Sequence, residues 1–473
     1  MPKQTLVMKF GGTSVGSVDA LLKAIQIVKD ARAEYPRVVV ITSAMSGVTN
    51  LLLDSAELAS QGKVDSLPST ESTLREKHFT AADALIKDET LREATKQEIN
   101  ALILSLVDLC KAIAILSEAS PRVMDTVASI GERMCVRLLG AVLESAGVSA
   151  KAIESTEFVI TNAHFQHAHP DFKVTTEKTR ALLNPLMDKG IVPVTTGFIG
   201  ATPEGMITTL GRGGSDYSAA IIGSVLPADD VWIWTDVDGV MTTDPRIVKD
   251  AKTLPEITYS EIAELAYYGA KVLHPKTIRP IVEAGIGLRI CNTFNPSHPG
   301  TRLIANPKTN GKVHGQVVKA VTAIRNQRLV TIEGRGMLGV PGVAARAFGA
   351  VASTKTSVPL ITHASSEQSI CFAVPSESAE LVISALQAVF ADEIEDEDID
   401  RVWMTEDVSI ITVVGVGMRH TPGVAGQVFS QLGNSKANVL AIAQGSSEVS
   451  ISMVVVAADT ELAVRSLHEL IVK

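Results

Sequence analysis

The chain has 473 residues, 46% of them hydrophobic and 4% aromatic, a length that predicts roughly three domains rather than one. Its formal net charge is −9, of which the run Asp392–Asp400 (DEIEDEDID) supplies seven acids and no base, leaving the remainder near −2 and offering no basic footprint for nucleic acid. Four cysteines without CxxC spacing predict reduced thiols in a cytoplasmic protein rather than disulfides or zinc. No apolar run reaches the ~18–20 residues of a membrane span, and the apolar part of the N-terminus is too short for a signal peptide, so no membrane partner is expected.

Gln4–Lys9 (QTLVMK) reads as a buried strand running into the glycine turn Gly11–Gly16, followed by a helical pattern to about Tyr35. Arg37–Ser43 is an apolar strand ending in SAMSGVTN, Ser43–Asn50. Strand, glycine turn, helix, strand is the order of a parallel βαβ unit. From Leu51 to about Ala119 the pattern is helical, an excursion that covers one face of the sheet. Short strands follow near Ala150–Ile153 and Ile191–Thr195, and Val231–Thr235 (VWIWT) ends at Asp236. Ligand residues collect at the carboxyl ends of such strands. Lys9, Ser43, Phe198, Arg212 and Asp236 all sit at strand ends or in the turns after them, which predicts one shared site. His164, His167 and His169 (HFQHAHP) lack the spacing of one helical face and precede Pro170, so a solvated loop is preferred to a metal site.

Thr209–Ala220 (TLGRGGSDYSAA) brings glycines into a helix start, where free N–H groups and partial positive charge attract a phosphate or carboxylate. Arg212 adds a planar fork for a bidentate contact. Lys9-Phe10-Gly11-Gly12-Thr13-Ser14 places an ammonium before a second glycine turn, without the GxxxxGK[ST] of a P-loop. Two such loops can cradle both ends of a transferring phosphoryl group. Thr235-Asp236-Val237-Asp238-Gly239 and the following Thr243-Asp244-Pro245-Arg246 suit an adenosine and a metal–polyphosphate, or a turn built for its own backbone.

Pro296–Asn310 reads as a domain boundary. Beyond it, Gly334–Phe348 (GRGMLGVPGVAARAF) matches Gly415–Phe429 (GVGMRHTPGVAGQVF) at an offset of 81, and the same offset aligns HASSEQSI at His363 with QGSSEVSI at Gln444. Each copy suits a small βαββαβ module. No nucleophile–base set or metal-ligand set recurs in them, so they read as binding modules.

Together KFGGTSVG, SAMSGVTN, SIGER at Ser129–Arg133, TTGFIG, TLGRGGSDYSAA, WTDVDGVMTTDPR and YYGAKVLHPKT resemble the aspartokinases, within the amino-acid-kinase fold. The resemblance covers essentially the whole chain. It implies a three-layer α/β/α sandwich with a mostly parallel sheet over 1–305, then a linker with the first regulatory strand over 306–327. Two ACT domains would follow, over 328–400 and 401–473, one of which can be threaded into the other in this family. The implied reaction passes the γ-phosphoryl of ATP to the β-carboxylate of L-aspartate, with Mg²⁺ accompanying ATP and no metal held by the protein alone.

By the same resemblance Lys9 stabilises the transferring phosphoryl, and Asp216 orients the loop and its lysine. Ser43, Thr49, Glu132, Phe198, Arg212, Gly213 and Ser215 hold aspartate, Arg212 on its α-carboxylate and Glu132 on its ammonium. Lys9, Phe10, Gly11, Gly12, Thr235, Asp236, Met241, Arg246, Lys271 and Val272 hold ATP. Met241 stands where many members have tyrosine. Met337, Gly342, Val343, His363, Met418, Gly423, Val424, Gln444 and Ser446 are the implied effector residues, with threonine preferred to lysine. His363 departs from the glutamine common in relatives. The implied assembly is a homodimer or homotetramer through the ACT domains. No dehydrogenase segment is expected after Lys473. The rival readings are another amino-acid kinase, acetylglutamate- or glutamate-kinase-like, and a non-catalytic amino-acid sensor. The latter should have lost Lys9, Glu132, Arg212 or Asp216, and all four are present.

Overall fold

The computed structural model describes residues 4–270, 273, 275–305, 317–335, 342–363, 368–418, 421–445 and 449–472. The elements of its first half are β1 (Thr5–Phe10), α1 (Val18–Glu34), β2 (Arg37–Thr42), α2 (Val48–Ser60), α3 (Leu67–Leu85), α4 (Glu89–Leu116), α5 (Pro121–Ser145) and β3 (Ala150–Ile153). There follow α6 (Phe172–Asp188), β4 (Val192–Thr196), β5 (Ile199–Ala201), β6 (Ile207–Thr209), α7 (Gly214–Val225), β7 (Asp230–Thr235), β8 (Glu256–Thr258), α8 (Tyr259–Tyr267), α9 (Pro275–Ala284), β9 (Gly287–Asn292) and β10 (Thr301–Ile304).

Two compact units form. The first comprises Met1–Val240, Pro255–Tyr259 and Leu273–Ala305. Its sheet runs β3-β4-β2-β1-β7-β9-β10-β8, parallel throughout except where β10 meets β9. Every residue of β1 is buried, as a central parallel strand covered on both faces requires. The chain leaves β1 toward β2 on one side and returns to β7 on the other, so the order reverses at the carboxyl end of β1, where open α/β sheets hold their ligands.

The expected helical excursion is broken into α2, α3 and α4, and α5 continues it. The Ser120 hydroxyl accepts the Val123 N–H to start α5 with Pro121 at its first position, and most of the helix is buried. Helix α4 is by length and composition apolar enough to cross a bilayer. Asp108 and Lys111 interrupt its apolar run. Its Ile99, Ile103, Leu106, Cys110 and Ile113 lie in the core with α5.

The second unit comprises Met241–Leu254, Ser260–Val272 and Asn306–Lys473. Its further elements are β11 (Ala320–Glu333), α10 (Val343–Ser353), β12 (Leu360–His363), β13 (Ser369–Pro375), α11 (Ala379–Val389), α12 (Ala391–Glu395), β14 (Arg401–Met404), β15 (Val408–Val414), α13 (Val424–Asn434), β16 (Val439–Ala443), β17 (Ser450–Val456) and α14 (Thr460–Val472). One antiparallel sheet runs β12-β13-β11-β15-β17-β16, with β14 also on β11. The long β11 serves both repeats. Its first residues, Ala320–Ile324, pair with β15, and after a register shift Val330–Glu333 lie between β13 and β14. The second module thus takes a strand that precedes the first in sequence, and a cut at 327/328 falls inside this strand.

Two stretches before residue 305 pack in this unit. Ile247 lies in the core that contains Val413, Met453 and Leu467. Glu261 accepts the Val416 N–H at 2.8 Å and pairs with Lys319 at 3.1 Å. Val321 N–H donates to Thr242 O at 2.8 Å, and the Thr242 hydroxyl meets His468 Nε2 at 2.9 Å.

Candidate functional site

The site begins where β1 ends. Its neighbours β2 and β7 run parallel in register, so three strand ends and their turns converge. Gly11 N–H donates to Trp234 O at 3.0 Å, tying the first glycine turn to β7. Ser43 N–H donates to Phe10 O and Ser46 N–H to Gly12 O, tying it to the turn after β2. Lys9 is buried at the base of these turns, and its Nζ stands 2.6 Å from Asp216 Oδ1 in the first turn of α7.

Two helices start on the same cavity without a side-chain cap, α2 after Gly47 and α7 after Gly213. Free N–H groups and the positive ends of two dipoles therefore meet there, an arrangement that favours anions. Gly214 permits a close approach: a Cβ on it would stand 2.6 Å from Phe198 Cδ2. Phe198 holds a left-handed φ of 68°, which a non-glycine residue adopts at a cost of about 1–3 kcal/mol. Ser218 Oγ accepts the Phe198 N–H and Phe198 O accepts the Leu210 N–H, fixing that conformation.

The cavity measures about 650 Å³. Ser43, Thr49, Glu132, Phe198, Arg212, Gly213 and Ser215, the residues expected to hold the amino acid, all line it, with Lys9, Gly12 and Asp216. Glu132 is fully buried. Its Oε1 accepts the Ala44 N–H at 3.2 Å, and its Oε2 has no partner among the described residues. Burial pushes its pKa up to about 8, with the Ala44 hydrogen bond a smaller opposing influence. A buried acid that lines a cavity and has one unsatisfied oxygen suits an incoming cation.

The residues expected to hold the nucleotide divide. Phe10 is completely buried and stacks on Trp234 at 6.2 Å, so its side chain belongs to the core and only its backbone can face a ligand. Thr235 and Asp236 follow at the end of β7 and hydrogen-bond to each other at 3.3 Å. Asp238 accepts from Asn292 and Asn295 at 2.9 and 3.1 Å, two residues the sequence reading did not single out. Met241 and Arg246 belong to the second unit, where Arg246 is exposed and pairs with Asp244 at 2.6 Å. Lys271 and Val272 lie outside the described residues.

Of the expected effector residues, Gly342 and Gly423 start α10 and α13 without side-chain caps. Val343 packs on one module's core, whereas Met418 and Val424 lie within the other's. Such side chains serve packing first. His363 ends β12 and Gln444 follows β16, both exposed. Met337 and Ser446 lie outside the described residues.

The histidine loop is exposed at His164, His167 and His169, as expected, and it also borders the cavity. Gln166 and His167 line the cavity beside Gly211, and Asp125, one of its buried acids, binds that loop to α5. Asp125 precedes Glu132 by seven residues, a helical spacing that would have flagged it. Among the described residues no group of three His, Cys, Asp or Glu side chains could hold a metal ion.

Residues 4–292 match the model of the amino acid kinase family, and residues 330–390 and 411–470 match that of an ACT domain. The chain is 37% identical over 463 residues to the bifunctional aspartokinase/homoserine dehydrogenase 1 of Zea mays, covering 98% of this chain and 50% of that protein. It thus spans about half the length of the bifunctional relatives it matches. It is 34% identical over 476 residues to lysine-sensitive aspartokinase 3 of Escherichia coli, covering 98% of each. The crystal structure of E. coli aspartokinase III in complex with aspartate and ADP matches with a TM-score of 0.80 at 32% identity, over 99% of this chain and 100% of that one.

Proposed function

The chain belongs to the amino acid kinase family and, within it, to the aspartokinases, and from that premise we propose that it is an ATP-dependent L-aspartate 4-kinase regulated through its ACT modules. The observation that carries the reading is the cavity at the end of β1. It holds a buried lysine, two uncapped helix starts, an exposed arginine and a buried carboxyl with a free oxygen.

An aspartate side chain has a pKa near ~3.9, so at neutral pH its β-carboxylate is already the nucleophile and no general base is needed. An oxygen of that carboxylate bonds to the γ-phosphorus of ATP while the bond to the β,γ-bridging oxygen breaks, giving 4-phospho-L-aspartate and ADP. The obstacle is the approach of two anions, which cations and dipoles offset. Lys9, held by Asp216, would stabilise charge on the transferring phosphoryl, with N–H groups of the glycine turns beside it. Glu132 would take the α-ammonium, Arg212 the α-carboxylate, and Ser43, Thr49 and Ser215 would supply hydroxyls around them. Gly11, Gly12, Thr235 and Asp236 would serve ATP, together with Met241, Arg246, Lys271 and Val272. Mg²⁺ would come with the nucleotide, which supplies charge neutralisation for the phosphates. Its contacts would be chiefly phosphate oxygens and water.

The regulatory unit would bind threonine or lysine, with Gln444 and His363 among its contacts, and would join chains into a homodimer or homotetramer. The wording of its repeats favours threonine, and the name of the E. coli relative favours lysine.

The test is ATP turnover with L-aspartate, trapped as the acyl hydroxamate, alone and with threonine, lysine or both. Aspartate-dependent hydroxamate suppressed by either amino acid is expected, and Gln444→Ala should blunt that suppression. Activity only on another amino acid would reassign the substrate. No activity on any would leave a non-catalytic sensor.

A further inference from the structure

Helix α5 lines the cavity with two acids, Glu132 and, two turns earlier on the same face, Asp125. Asp125 is 1% exposed. Its Oδ2 accepts the backbone N–H groups of Gln166 and Thr209, each at 2.9 Å, and its Oδ1 accepts the Thr209 hydroxyl at 2.7 Å. A buried carboxylate is costly unless donors surround it, and here three do.

Those donors belong to the two segments that frame Arg212. Thr209 ends β6, three residues before Arg212. Gln166 and His167 form the wall against which Gly211 turns with a φ of +78°. A Cβ there would stand 2.7 Å from His167 Nδ1 and 2.9 Å from Gln166 O. The Arg212 turn is thus held from two directions by segments that both hang on one carboxylate.

We propose that Asp125 is a positioning residue of the amino-acid site. Through Thr209 and Gln166 it fixes the Arg212 turn relative to Glu132. One helix then sets the separation between the group that takes an α-ammonium and the group that takes an α-carboxylate. The substrate follows from that geometry: an α-amino acid with both charges intact, recognised at a set spacing. This inference rests on the reading of the cavity as an amino-acid site.

The experiment is a double-variant cycle on kcat/KM for aspartate, with the KM for ATP and the thermal midpoint measured alongside. Asp125→Ala should raise the KM for aspartate about 10–100-fold, since misplacement by about 1 Å can cost that much, while the KM for ATP stays within about twofold. Asp125→Asn should recover most of the loss, because its carbonyl can accept the two N–H groups and its amide can donate to the Thr209 hydroxyl. In an Arg212→Ala background, Asp125→Ala should add less than about threefold, because the group it positions is gone.

Full multiplicative losses in the double variant would overturn the proposal, as would a fall in kcat or thermal midpoint with the KM for aspartate unchanged. Should the alanine variant not fold, Thr209→Val carries the same cycle, with an expected loss of about threefold that should vanish in the Arg212→Ala background and whose persistence there would overturn the proposal. Wild-type turnover of aspartate is measured first. If another amino acid proves to be the acceptor, only the substrate reading fails. The cycle is then run on that acceptor, and its additivity alone decides the role of Asp125.

Discussion

Raising the pH from 6 to 8 should strengthen aspartate binding through Glu132. Burial in α5 pushes this carboxyl from 4.5 up to about 8, so near neutrality the empty site holds mostly the neutral acid. An α-ammonium needs the carboxylate, and binding must therefore expel a proton. With ionisation near pH 8 as the prerequisite, the apparent KM for aspartate falls roughly tenfold from pH 6 to 7 and roughly fivefold from 7 to 8, then levels near pH 9. At pH 7 about 0.9 proton leaves per aspartate bound, measurable by titration calorimetry in two buffers of different ionisation enthalpy. Glu132→Gln should give a high KM that is flat over the same range.

The same group acts on stability with the opposite preference. Its folded pKa is raised, so its contribution is full below about pH 4.5 and is lost as the pH climbs through about 8. Glu132→Gln should accordingly make the ligand-free protein less sensitive to alkali, by an amount bounded at roughly 5 kcal/mol. A wild-type KM for aspartate that is constant between pH 6 and 8, with no proton released, would refute the reasoning. It would require Glu132 to be ionised in the empty cavity.

Lys9→Ala should lower turnover about 10²–10³-fold with little change in aspartate binding, and near-normal turnover would remove Lys9 from phosphoryl stabilisation. Gly214→Ala drives a Cβ to 2.6 Å from the Phe198 ring, which already holds a strained φ, so the KM for aspartate should rise about tenfold or more. Steady-state kinetics within twofold of the parent would show that this wall can give way. His78 is buried in α3, its Nδ1 on Leu74 O at 2.7 Å and its pKa held down to about 4 by desolvation. Its stabilising contribution is present above about pH 6.5 and is lost as the pH falls toward 4. Denaturant unfolding should show about 2 kcal/mol lost between pH 7 and 5, and His78→Leu should abolish that share. An acid dependence unchanged in the variant would assign it to other groups.

The linear text carried the order of the elements around the cavity well. Apolar runs such as TLVMKF and VWIWT make central parallel strands because nothing else buries both faces of such a segment. The glycine loops were legible because close approach and positive φ leave few residue choices, as Gly213 and Gly214 illustrate. Local chemistry of this kind determined which turns gather around the cavity.

What only the tertiary structure decided depends on contacts between distant segments. Asp125 is an ordinary helical acid until folding brings Thr209 and Gln166, 84 and 41 residues away, onto its oxygens. Phe10 sits inside the most telling motif, yet its ring lies wholly in the core. Residues 241–254 continue the WTDVDGV motif in sequence and still pack in the second unit, because Ile247 finds its apolar neighbours there. The sharing of β11 between two repeats is likewise invisible in a linear pattern. A strand's sequence specifies its faces, whereas its partners are set by which edges the rest of the fold leaves open.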